Sequence, residues 1–343
     1  MSTGSGLDAQ LMVGQESVWG TAVTPTRALE FNSESIKLDP TWLEPTGLRV
    51  GTKYKRASRA RISRRSVSGD VELEFATKGM GPLLKNMLGS LVGPTQIAST
   101  TAYKQIATPG DFRGLGLTVQ VGRPEASSGT VRPFTFAGMK VGKWEFNLKD
   151  NAIPTLKLTL DGKSEATATA LAAASYLTGA SVFDFSQASL KLGGTAATAS
   201  GETAITSGVA VATIIKDITI AGEAPMAIDR FGIGNAGLKA EQLENSHPAI
   251  TGKLSAEFSK TELYDVFTAG NPVALQLDLT GAAIGVSGSN FLLSFILPAI
   301  KLKSAPAQVS GPDIVQMSTD FEAYSDEVNP VIQIKAVSDE TTL

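Results

Sequence analysis

Along much of this chain apolar and polar residues alternate one by one. Residues 70–75, DVELEF, put Val71, Leu73 and Phe75 on one side and Asp70, Glu72 and Glu74 on the other. Residues 143–148 (KWEFNL), 156–161 (LKLTLD) and 275–279 (LQLDL) repeat the pattern. A period of two belongs to a half-buried antiparallel strand, whose side chains point to alternate faces. Asp161-Gly162 and Thr280-Gly281 follow two of these runs as turn signals. Two segments have helical spacing instead. In 78–89, KGMGPLLKNMLG, Leu83, Leu84, Met87 and Leu88 share one stripe, with Pro82 in the first turn and Gly89 past the end. In 261–270, TELYDVFTAG, Thr261 is placed to cap, Leu263, Val266 and Phe267 share a stripe, and Gly270 is the stop.

The pattern occurs twice. SGDVELEF (68–75) and TGKLSAEF (251–258) align without a gap at an offset of 183, matching Gly69 with Gly252, Val71 with Leu254, Glu74 with Glu257 and Phe75 with Phe258. The same offset lays Leu83 and Leu84 on Val266 and Phe267. A strand precedes each copy, SESIKL (33–38) and IKDITI (215–220), and apolar then alternating strands follow each helix. The expectation is a mainly β chain of two tandem β-sandwich or barrel units, each flanked by one short helix. The first unit spans 1–165 and the second 182–343, joined by a small-residue linker at 166–181. Residues 90–132, rich in Gly, Pro, Ser and Thr, read as a surface loop inserted in the first unit.

Charge changes the picture at one place. Residues 49–65 hold eight cations in seventeen positions, Arg49, Lys53, Lys55, Arg56, Arg59, Arg61, Arg64 and Arg65, and no acid lies between Glu44 and Asp70. The chain's net charge is −3, so the remainder sums to −3 − 8 = −11. A strongly positive loop, 41–67, therefore sits on an acidic body, and another copy of the chain is an obvious partner. The matching stretch 232–250 is mildly negative, with Lys239 set against Glu241 and Glu244. There is no cysteine, which excludes disulfides and thiolate metal sites. The start reads as no export signal, and the longest apolar run, 291–300, is interrupted by a proline and too short to span a bilayer.

Catalytic chemistry finds little to work with. His247 is the only histidine, lies beside Pro248 in a predicted loop, and reads as a solvated residue. No metal-ligand spacing is present, and GIGNAG (232–237) lacks the strand and helix that a dinucleotide loop needs. The expectation is no enzyme and no cofactor. The basic stretch could grip phosphates. It contains Tyr54 as its one aromatic, without the stacking platform of a single-strand binder or the periodicity of a recognition helix. A docking arm suits it better. A DNA-binding protein using 49–65 and a capsid decoration protein remain the alternatives.

The opening VGQESVWGTAVTPTRALEFNSESI (13–36) resembles that of the major tail tube proteins of long, non-contractile-tailed bacteriophages, through Gly14, Glu16, Ser17, Trp19, Gly20, Thr21, Ala22, Phe31 and Glu34. The segments beginning GDVELEF and FTFAGMK, with SLKLGG and VSGPDIV, extend the likeness along nearly the whole chain. The resemblance implies a β-sandwich with a flanking helix whose sheets join between subunits into rings that stack into a tube. It implies a virion protein of the siphovirus type, made in the bacterial host cytoplasm and located in the phage tail. Its partners would be itself and the tape-measure, tail-tip and tail-terminator proteins, with DNA passing through unbound and no membrane. With two units per chain, three chains would form a ring of pseudo-hexameric symmetry; a single-barrel reading would need six. The long loop would be an inter-ring docking arm. Asp70, Glu72, Glu74 and Glu257 are candidates to line the lumen, the other placement being an outer or inter-subunit face.

Overall fold

The structure, a computed structural model, describes residues 4–286, 288–309 and 311–343. It is mainly β, as the alternation predicts. The main strands of the first half are Gln10–Gln15 (β1), Lys37–Leu43 (β2), Arg61–Glu74 (β3), Gly89–Gln96 (β4), Tyr103–Pro109 (β5), Leu117–Pro124 (β6), Val131–Lys149 (β7) and Thr155–Gly162 (β8). Those of the second half are Ala188–Leu192 (β9), Ile215–Glu223 (β10), Ala249–Glu257 (β11), Val273–Ala283 (β12), Asn290–Leu302 (β13), Gln316–Ala323 (β14) and Gln333–Ser338 (β15). Helix α1 (Gly81–Leu88) follows β3, and α2 (Glu262–Ala269) follows β11.

One antiparallel sheet runs through both halves in the order β2-β3-β8-β7-β10-β11-β14. The end of β13 pairs with β14, and Ala307–Gln308 pairs further along the same strand. The second layer has two parts. β1 pairs with β6, which pairs with the N-terminal part of β7, while β9-β12-β13-β15-β5-β4 forms the other. Strand β7, 19 residues long, serves both layers. It turns from one to the other near Gly138, which has a φ of 67° that favours glycine. Between the layers lies one continuous apolar core, including Val71, Leu73, Phe75, Trp144, Phe146, Leu156, Leu254, Phe295 and Phe321.

The pairing order of the first half recurs in the second. Val71 faces Leu158 in β8, and Leu254, 183 residues on, faces Thr319 in β14. Asp161 faces Lys140 and Ser68, while Glu322 faces Lys301 and Thr251. Lys37 faces Ser68, and Ala221 faces Thr251. From these registers β2 matches β10 at an offset of 184, β8 matches β14 at 161, and β7 matches β13 at 161. The offsets hold along each strand.

Several expectations need correction. Residues 90–132 are no surface loop: they contain most of β4, all of β5 and β6, and the start of β7. Strand β6 is buried on both faces, so the alternation that marks other strands is missing from it. Its polar residues are satisfied inside, Thr118 donating to Glu16 and Gln120 to Thr135 and the Ala170 carbonyl. Strands also enter the basic loop from both sides, leaving 44–60 between Leu43 and Arg61. Thr261 stands at the start of α2, but its hydroxyl donates to Asp265 and makes no backbone cap. Phe75 is fully buried whereas its sequence match Phe258 is partly exposed, so the repeated motif does not repeat the packing.

Candidate assembly surfaces

The long sheet packs one face on the core and leaves the other open. Because Val71 and Leu73 point inward, Asp70, Glu72 and Glu74 stand on the open face. Glu257 stands on the same face of β11, beyond the inward-pointing Leu254 and Ala256. Sequence reading missed the cations among them. Lys157 Nζ lies 3.1 Å from Asp70, Lys143 2.9 Å from Glu223, and Lys216 3.1 Å from Glu257. Burial opposes the charge on Asp70, but the Thr159 hydroxyl and Lys157 outweigh it and hold its carboxyl below the usual carboxylate range. The hydrogen bond and charge of Asp70 hold Lys157 above its ordinary value. Among the described residues Glu72, Glu74 and Glu145 have no cation within ion-pair distance. The face is a lattice of both signs that retains unpaired acid.

The basic segment forms the tip of the β2–β3 hairpin. Arg49, Lys53, Lys55, Arg56 and Arg59 lie in the loop or its single 3-10 turn, while Arg61, Arg64 and Arg65 belong to β3. Lys55 pairs with Glu44. Among the described residues the other seven have no acid within ion-pair distance. Leu48, Val50 and Tyr54 are almost wholly exposed at the same tip, and Trp42 and Leu43 are exposed at the end of β2. Such a tip is held by few contacts of its own.

The loop at the matching position, 224–248, is seated. It crosses from β10 to β11 and folds back over the first half. Lys239, fully buried, reaches both carboxylate oxygens of Asp161 at 2.7 Å, and Gln242 donates to the same group. Glu241 accepts from buried Lys140 at 2.7 Å. Burial pushes the Lys140 ammonium below its ordinary range despite that partner. Arg65 N–H donates to Gly237, and the Arg64 guanidinium lies 4.9 Å from the Phe231 ring. His247 is exposed in this loop.

Beneath the loop is a seam where β7 of the first half pairs with β10 of the second. The paired numbers sum to 366, from Lys143–Glu223 to Lys149–Asp217. Asp150 N–H donates to Lys216 and Ala224 N–H to Gly142, extending the ladder at both ends. Where Trp144 lies opposite Gly222, a β-carbon on the glycine would stand 2.3 Å from the indole nitrogen. Only glycine fits under that ring.

The N-terminal motif is a brace at the bend of β7. Buried Glu16 accepts from Gly20 N–H at 2.6 Å, Gly138 N–H at 2.8 Å and the Thr118 hydroxyl at 3.0 Å. Trp19 Nε1 donates to the Gly138 carbonyl, and Lys163 lies 5.2 Å from the Trp19 ring. Glu34 and Arg123 form a bidentate pair at 2.8–2.9 Å. Glu16, Trp19, Gly20 and Glu34 are among the residues on which the resemblance rests, and the family model described as "Phage tail tube protein" matches residues 6–323. The chain belongs to the phage tail tube protein family. Membership makes it a structural protein of the virion tail that associates with itself as a tube. No curated protein matches the chain. Among the described residues the open sheet face, its two end strands and the basic hairpin are exposed. No helix among the described residues is long and apolar enough to cross a membrane.

Proposed function

We propose that this protein is the subunit of a long, non-contractile phage tail tube, assembling side by side into rings that stack into a conduit for the genome. The observation that carries the reading is the shared sheet. Two sets of strands with the same order join inside one chain, and the joined sheet still ends in open edges at β2 and beyond β13. A sheet with two free edges is closed most completely by forming a barrel. Three chains with eight strands each would supply 24, taking β13 and its continuation as the eighth. At about 4.8 Å between strands and a tilt of about 40°, these give a barrel roughly 50 Å across the backbone.

In this reading the open face lines the bore. Asp70, Glu72, Glu74 and Glu257, with unpaired Glu145 beside them, keep phosphates from sticking, while the interspersed lysines limit self-repulsion. The basic hairpin is the arm that docks onto another copy. Its counterpart 224–248 supports this: where a neighbouring unit is present, a loop at that position lies down and buries a lysine on an acid. The protein acts by assembly, without catalysis or cofactor, and the tape-measure, tail-tip and terminator proteins are its further partners. The two units extend over 1–165 and 182–343. Electron microscopy of the purified protein, with oligomer mass measured on the same sample, tests the reading. Rings or tubes formed without DNA are expected. A chain that stays monomeric and grips duplex DNA in a salt-sensitive way would favour the DNA-binding alternative.

A further inference from the structure

The internal seam contains the instructions for an external one. Strand β7 has two neighbours in the long sheet, β8 and β10. Its match, β13 with the continuation at Ala307–Gln308, has β14 on one side. Among the described residues, no strand pairs with 304–309 at the position corresponding to β10. At the other end of the sheet, among the described residues, β2 and the short strand Ser33–Glu34 pair with β3 alone. These are the matches of β10, so each free edge is the counterpart of one side of the seam.

We propose that residues 304–309 of one copy pair antiparallel with residues 34–39 of a second copy, in the register in which paired numbers sum to 343. This rests on the self-assembly reading above and adds the interface to it. The register follows from the offsets: pairs summing to 366, moved by +161 on one strand and −184 on the other, sum to 343. Ser304 then faces Asp39, as Lys143 faces Glu223. Ala305 faces Leu38, Pro306 faces Lys37, Ala307 faces Ile36, Gln308 faces Ser35 and Val309 faces Glu34.

Three features bear on this pairing. The first is size. Inside the chain a large residue, Trp144, sits over Gly222; at the matched rung a small one, Ala305, faces Leu38. The bulk has changed sides. The second is backbone direction. In the seam the even-numbered residues of β7 exchange backbone bonds with β10, as the end bonds at Gly142 and Asp150 fix. Their matches Ala305, Ala307 and Val309 therefore turn N–H and C=O to the open edge. Pro306 falls between them and removes a donor from the β14 side only. On the other edge the matching residues are Glu34, Ile36 and Leu38. Pro40 stands where Ala224 donates its last seam bond and ends the ladder there.

The third feature is a guard on the edge. The Ile36 N–H donates to the Glu34 carboxylate at 3.0 Å, and its carbonyl accepts from Arg123 at 2.5 Å. Both groups point away from β3, where the proposed ladder would run. Side chains that occupy edge groups in the free chain protect it from indiscriminate pairing. On docking, Ala307 replaces them.

The chain has no cysteine, so disulfide trapping reads the interface directly. Lys37 and Pro306 are both exposed and form a non-hydrogen-bonded pair in this register, the closer kind in an antiparallel ladder. Chains with Lys37→Cys mixed with chains with Pro306→Cys, assembled and oxidised, should give a covalent dimer. Pairing Lys37→Cys with Ser304→Cys or Gln308→Cys moves the partner two residues, to about 7–8 Å, near or beyond the reach of a disulfide. The in-register dimer should exceed either displaced one by at least about fivefold, since trapping follows that distance. Microscopy of the same samples separates the two ways to fail. Rings or tubes that trap best in a displaced pair would overturn the register and leave the self-assembly reading standing. Absence of any ring or tube, with no trapped dimer, would overturn both.

Discussion

Glu16 is the residue through which a recognisable sequence becomes a structural necessity. Its carboxylate holds two backbone N–H groups and a hydroxyl in a place water does not reach. Glu16→Ala strands all three, and a loss of about 3 kcal/mol in urea unfolding is expected, the cost of leaving buried donors unpaired. A loss under about 0.5 kcal/mol would mean the brace is idle. Lys239 poses the same question for the seated loop. With its side chain buried on Asp161, Lys239→Met leaves a carboxylate without its cation and should cost about 3 kcal/mol. Adding Asp161→Asn should recover part of that loss in a double-mutant cycle, because the penalty lies in the orphaned charge.

At the scale of elements, the basic hairpin and the 202–206 strand make opposite predictions. The hairpin tip touches little of its own chain, so Arg56→Glu with Arg59→Glu should move the thermal midpoint by less than about 2 °C, as surface changes do. The same variant should lose assembly, read by sedimentation; tubes at unchanged yield would remove the arm from the account. Glu202, by contrast, clamps two strands, accepting from Lys104 in β5 and Lys335 in β15. Burial opposes its charge, yet the two lysines hold its carboxyl below the ordinary range. A depressed carboxyl pKa stabilises the fold above the unfolded value and loses that contribution as pH falls through the folded one. Glu202→Gln should therefore be less stable than the parent at neutral pH, with the gap closing in acid; a gap constant with pH would contradict the clamp.

Elements also show what the sequence could and could not reveal. Strands 70–75, 143–148 and 156–161 were legible because one face is wet and alternation survives. Strand β6 was not, since burial on both sides erases the period and Thr118 and Gln120 look like loop residues until their buried partners are known. The acids of the open face were legible as a set. Their lysine partners come from neighbouring strands, and pairing across a sheet depends on register, which no local pattern states. The seam between the halves is hidden for the same reason.

For the whole molecule, the central claim is that one chain is two sixths of a ring. The internal seam joins two units of like strand order, the free edges repeat that seam's two sides, and family membership supplies the tube. The most direct measurement is the end-on view of assembled rings by negative-stain electron microscopy, with the mass of the same rings determined. The account predicts six lobes around a single bore and the mass of three chains, 35.7 kDa each. Six chains around one bore would contradict the two-unit barrel.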